Sequence, residues 1–145
     1  MRLSQDYSQT KRSKRPEGIN ERGRACRVLV VDDEEIVRKM VVQVLRSVGY
    51  EIVGEAPNGK QAADLYKTAK PDIVTLDVMM PVMDGFTTLK TILEIDPEAT
   101  VVMLTSESDK ELVVRILKEG AKGYIVKPVQ REAILQRLRQ VRGLE

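Results

Sequence analysis

Residues 28–49 read VLVVDDEEIVRKMVVQVLRSVG, and the hydrophobic period changes inside them. The first four residues are an unbroken Val/Leu run, the composition of a strand buried on both faces. Past the acidic residues 32–35, Ile36, Val37, Met40, Val41, Val44, Leu45 and Val48 recur at spacings of three and four, which is the stripe of an amphipathic helix. Gly49 follows where a helix C-cap favours glycine. A strand that feeds straight into a helix is half of a repeating βα pattern, and this sets the reading of the rest.

Working outward, further β-branched runs at 51–55, 73–76, 101–104 and 123–126 alternate with helical patterns at 61–69, 86–95, 110–119 and 131–141. Asn58 is the predicted N-cap of the second helix, and Pro71 excludes further helix at its neighbour. Five βα units predict an α/β fold: a doubly wound, five-stranded parallel sheet with helices on both faces. No repeat of solenoid period is visible, and no second domain is expected beyond Val141. Upstream, residues 1–27 hold eight Lys and Arg against three Asp and Glu, whereas the remainder holds 16 against 19. Residues 1–24 show no apolar period and are expected to form a flexible basic arm, leaving 25–145 as the folded domain.

The chain has no histidine, which removes histidine nucleophiles, histidine general bases and histidine metal ligands. Cys26 is the single cysteine, so no internal disulfide forms and a reducing, cytoplasmic setting is expected. No apolar stretch reaches the length of a membrane span, and membrane insertion is not expected. Any metal must then be a hard ion held by carboxylates and carbonyls, Mg²⁺ being the candidate.

Sheets of this kind bind ligands at the carboxyl edge of their strands. The residues just past the predicted strands are Asp32-Asp33, Asp77, Thr105-Ser106 and Lys127-Pro128. Each has an ordinary explanation alone: an acidic pair at a helix start, a loop aspartate, a strand-end threonine, a solvated lysine. Their joint occurrence at successive strand ends is what points to chemistry. Crowded carboxylates resist ionisation unless a cation neutralises them, and Lys127 with Mg²⁺ held by Asp33 and Asp77 would do so. A carboxylate so placed can attack a phosphoryl donor and form an acyl phosphate. Asp77 is the candidate nucleophile, because residues 78–85 follow it as a turn and leave it open. Thr105 and Lys127 would grip the transferred oxygens. A haloacid-dehalogenase reading fails, because it needs an aspartate at position 79, which is Met79. A dinucleotide site fails as well, because residues 32–35 offer four carboxylates where a glycine-rich turn is needed.

The segments VVDDEEIVRKM, DIVTLDVMMPVMDG, VVMLTS and GYIVKPV resemble the signature segments of bacterial response-regulator receiver domains, over residues 27–141. The nearest subgroup is the CheY-like stand-alone receiver. The resemblance implies the flavodoxin-like strand order 2-1-3-4-5. It makes Asp77 the phosphoacceptor, Asp33 a direct Mg²⁺ ligand, Asp32 a ligand acting through water, and Met79 the donor of a backbone carbonyl. Thr105 and Tyr124 fall at the family's switch positions, Lys127 at the position that pairs with the phosphoryl group, and the Lys127–Pro128 bond is expected to be cis. Met79 and Glu107 are expected to tune water access. The implied partners are a sensor histidine kinase or histidine phosphotransfer protein as donor, and a downstream protein that reads the face of the fourth helix, fifth strand and fifth helix. The switch is expected to act as a phosphoacceptor and not as an enzyme, and as a monomer or a phosphorylation-dependent dimer. Two rival readings remain: nucleic-acid binding by basic residues 11–24, which is not favoured, and a scaffold that is never phosphorylated.

Overall fold

A computed structural model describes residues 15–106 and 109–144. Its elements run β1 (Arg27–Val31), α1 (Glu35–Ser47), β2 (Glu51–Ala56), α2 (Gly59–Ala69), β3 (Ile73–Asp77), α3 (Gly85–Ile95), β4 (Val101–Thr105), α4 (Lys110–Lys118), β5 (Gly123–Val126) and α5 (Arg131–Val141). All strand pairs are parallel, in the order β2-β1-β3-β4-β5.

Alternation along the strands divides the core. Leu29, Val31, Val74, Leu76, Val101 and Met103 pack beneath Tyr66 of α2, Leu89 and Ile92 of α3 and Ile116 of α4. Val28, Val30, Val102, Leu104 and Ile125 face Val41 and Leu45 of α1 and Ile134 and Leu138 of α5. The central strands β1, β3 and β4 therefore bury both rows of side chains, which is why their sequences read as nearly continuous apolar runs, whereas the edge strands β2 and β5 are partly exposed. The helix starts are fixed locally. Asn58, Asp84 and Asp109 accept hydrogen bonds from Gln61 N, Thr87 N and Leu112 N at 2.9, 2.8 and 2.8 Å. Gly49 (φ +95°) turns the chain from α1 into β2.

Residues 16–24, expected as part of a flexible arm, make defined contacts with the domain; residues 1–14 lie outside the described residues. Gly18 N donates to Val48 O and Cys26 N to Gly18 O, both at 2.7 Å, while Ile19 pairs with Ala25 across a tight turn. Asn20 Oδ1 closes that turn by accepting from Arg22 N and Arg24 N. Arg139 of α5 pairs with Glu17 at 2.7 Å, and Arg142 donates to Glu17 O and to the Tyr50 hydroxyl, both at 2.9 Å. Backbone bonds and arginine forks hold this clasp, and neither leaves an apolar period to read. Glu17→Ala is expected to lower the unfolding free energy by about 1 kcal/mol, the usual worth of a charge-assisted hydrogen bond. Urea denaturation would measure it, with amide exchange rising over residues 18–26. Beneath the clasp Cys26 is buried, and that burial pushes its thiol up to about 11, against the opposing effect of Arg142.

Candidate phosphoacceptor site

The central strands bring buried carboxylates to the carboxyl edge of the sheet. Asp32 follows the last residue of β1 with its N–H bonded to Ala56 O at 3.1 Å, which keeps it inside the edge at 1% exposure. Its Oδ1 accepts from Glu34 N at 2.9 Å, turning the chain into α1 and leaving Asp33 exposed at the rim. Asp77 ends β3 in the middle of the sheet, 3% exposed, and its Oδ1 accepts from Met79 N at 3.2 Å. From the neighbouring edge, Lys127 N donates to Thr105 O at 2.7 Å. The Lys127 ammonium then lies 3.2 Å from Asp32 Oδ2, 3.4 Å from Asp77 Oδ1 and 3.1 Å from Glu34 Oε1. The Lys127–Pro128 peptide bond is cis.

These contacts set the electrostatics. Burial, then the Asp32 charge, push the Asp77 carboxyl from its ordinary 3.8 up to about 7, with Lys127 pulling the other way. Burial works against the charged form of Lys127, but Glu34, Asp32 and Asp77 together outweigh it and raise its pKa. One ammonium among four carboxylates leaves the site net negative. One oxygen each from Asp32, Asp33 and Asp77 lie within 4.8 Å of one another, close enough to serve a common cation. Asp32 Oδ2 is buried and, despite the nearby ammonium, accepts no well-directed hydrogen bond. An all-oxygen donor set with an orphaned acceptor fits a hard divalent cation.

Thr105 is buried at the end of β4, on the strand next to Asp77. It borders a cavity of about 210 Å³ that Val78, Met79, Phe86, Leu112 and Arg115 also line. The Met79 side chain points outward, 71% exposed. Tyr124 is half-buried on β5, packed against the core, with the Arg137 guanidinium 5.2 Å from its ring centre. Its distance along the sheet from Asp77 is two strands, whereas Asp32, Thr105 and Lys127 stand around the acceptor position itself. Glu107 lies outside the described residues. The residue sequence reasoning gave no role is Glu34. The only signal for it is the four-carboxylate run at 32–35, which does not say which acid reaches Lys127.

The response regulator receiver domain pattern matches residues 28–139. The chemotaxis protein CheY of Thermotoga maritima is 42% identical over 115 residues, covering 79% of this chain and 96% of that protein. The Treponema pallidum CheY is 44% identical over 128 residues, 87% of this chain and 89% of its own length. Among solved structures, a chain of the CheX-CheY-BeF3-Mg²⁺ complex from Borrelia burgdorferi superposes with a TM-score of 0.85 at 41% identity, covering 88% of this chain and 98% of that one. Because the match runs from β1 into α5 and the strand order agrees, this chain is a member of the response regulator receiver domain family, of the CheY-like kind.

Proposed function

We propose that this receiver accepts a phosphoryl group on Asp77 and, once modified, presents a changed surface to a downstream protein in two-component signalling. The observation that carries the reading is the placement of Asp77 at the centre of the carboxyl edge, with Lys127, Asp32 and Thr105 around it. In the transfer, an Asp77 carboxylate oxygen forms a bond to phosphorus in line with the departing group. The P–N bond of a donor phosphohistidine breaks with its electron pair left on the ring nitrogen. The other ring nitrogen keeps its proton, so the imidazole leaves neutral. Lys127 pairs with a phosphoryl oxygen and the Thr105 hydroxyl donates to another.

Asp33, Asp77 and the Met79 carbonyl, with Asp32 through water, would hold Mg²⁺. The ion would favour the ionised form of Asp77 and spread the charge of the phosphoryl oxygens. A phosphohistidine donor lies outside these 145 residues, which contain no histidine. A sensor kinase or phosphotransfer protein fits, and small phosphodonors could substitute. The readout face is α4, β5 and α5, where Val114, Leu117 and Val126 are exposed apolar side chains. A cytoplasmic setting suits both partners, and among the described residues no helix is long and apolar enough to cross a membrane.

Intact mass spectrometry after incubation with Mg²⁺ and acetyl phosphate tests the proposal. One phosphoryl mass should appear, vanish on treatment with hydroxylamine, which cleaves acyl phosphates, and fail to appear in EDTA. No gain from either acetyl phosphate or a phosphohistidine donor would reject the acceptor reading and leave the scaffold.

A further inference from the structure

The Lys127 ammonium faces three carboxylates, and they are not equivalent. Asp32 and Asp77 are buried and belong to strand ends. Glu34 comes from the N-cap position of α1, and its side chain is 59% exposed. Only the Glu34 contact, at 3.1 Å, is also a directed hydrogen bond from the ammonium. An N-cap side chain ordinarily turns back on the first amides of its own helix. Glu34 makes no such bond: its backbone is extended (φ −84°, ψ 110°), its N–H is committed to Asp32 Oδ1, and its carboxylate reaches Lys127, 93 positions along the chain.

We propose that Glu34 is a positioning residue for Lys127, a latch that holds the ammonium at the mouth of the acidic pocket before phosphoryl transfer and releases it afterwards. The inference rests on the reading of Asp77 as acceptor. A phosphoryl group on Asp77 replaces a single carboxylate charge beside Lys127 with several anionic oxygens, while the one directed hydrogen bond of the ammonium to a carboxylate is already given to Glu34. Those oxygens compete with the existing partners for the ammonium. Glu34 is the one that water can replace at least cost, because its carboxylate is already solvated, whereas Asp32 and Asp77 have no solvent to turn to. The strength of this single exposed pair therefore biases the receiver towards its unmodified conformation.

Beryllofluoride with Mg²⁺ serves as a phosphoryl mimic whose binding can be titrated without turnover. In ¹⁹F NMR titrations, Glu34→Ala and Glu34→Asp should both bind it about three- to fivefold more tightly than the wild type, the scale of an exposed ion pair. Aspartate keeps the charge but is one methylene too short to reach. In the unliganded protein, the Lys127 side-chain resonance should shift in both variants, while thermal stability stays close to the wild type. Unchanged affinity in both variants would overturn the latch. An increase in Glu34→Ala alone would also overturn it, assigning the effect to negative charge at the mouth. If the wild type itself binds no beryllofluoride, the acceptor reading falls and the latch with it. Normal wild-type binding with unaltered variants removes the latch alone.

Discussion

Asp77→Asn is expected to abolish phosphoryl uptake altogether and, in metal-free buffer at pH 8, to make the fold more stable. The first effect follows from the proposed chemistry, because an amide is no nucleophile towards phosphorus. The second follows from burial. The Asp77 carboxyl titrates at about 7 in the fold against its ordinary 3.8, because burial and then Asp32 disfavour its charge. Between those two values the folded chain binds more protons than the unfolded chain, so stability falls as pH rises through the window and the deficit is complete above about 7. Asparagine carries no such charge. The substitution also takes a partner from Lys127, which offsets part of the gain, so the net is on the order of 2 kcal/mol at pH 8, shrinking as pH falls towards 4. Urea denaturation in EDTA at several pH values measures it. Mg²⁺ should then stabilise the wild type and leave the variant nearly unmoved. A variant no more stable than wild type at pH 8 would mean that Asp77 is not held against its own charge.

Gly85→Ala is expected to cost about 3 kcal/mol or more and to impair the acceptor site with it. A Cβ at Gly85 would stand 2.3 Å from Asp77 O, 2.6 Å from Val78 Cα and 2.9 Å from Val78 O. Those are backbone atoms at the end of a buried strand, tied further by the Gly85 N to Val78 O bond at 2.8 Å. They cannot give way as a side-chain tip does, so either the first turn of α3 lifts or the peptide after Asp77 shifts. Gly54→Ala is the control. There the new methyl meets Leu29 and Leu65 methyl groups at 3.2 and 3.3 Å, which can adjust, and the cost should stay near 1 kcal/mol. Equal stability of the two variants would refute the close approach at Gly85.

The contrast between those glycines shows what a sequence makes readable. Strand positions came through within a residue or so, because a sheet covered on both faces demands apolar side chains along its central strands, and runs such as 101–104 have no other use. Asn58 was legible because its cap bond is local. Asp32, Asp77, Thr105 and Lys127 could be grouped before any coordinates, because parallel topology alone sends strand ends to one edge. Glu34 could not. Its neighbours Asp33 and Glu35 share its chemistry, and only the extended backbone at the start of α1 directs its side chain towards Lys127. The contacts of residues 16–24 were not legible for a related reason, since Glu17 is held by arginines far downstream and the rest by backbone bonds. Gly85 was seen as part of a turn, but its contact with the Asp77 carbonyl is a matter of tenths of an ångström.

The clasp joins Glu17 to Arg139 across 122 positions, which makes it a contact between the earliest and latest parts of the described chain to be synthesised. Its ring cannot close until α5 has left the ribosome and docked on α1. By then the sheet strands that precede α5 have all emerged and can already have paired. The Glu17 contacts at the start of the described chain are therefore among the last to form, and they mark a domain whose final helix has arrived.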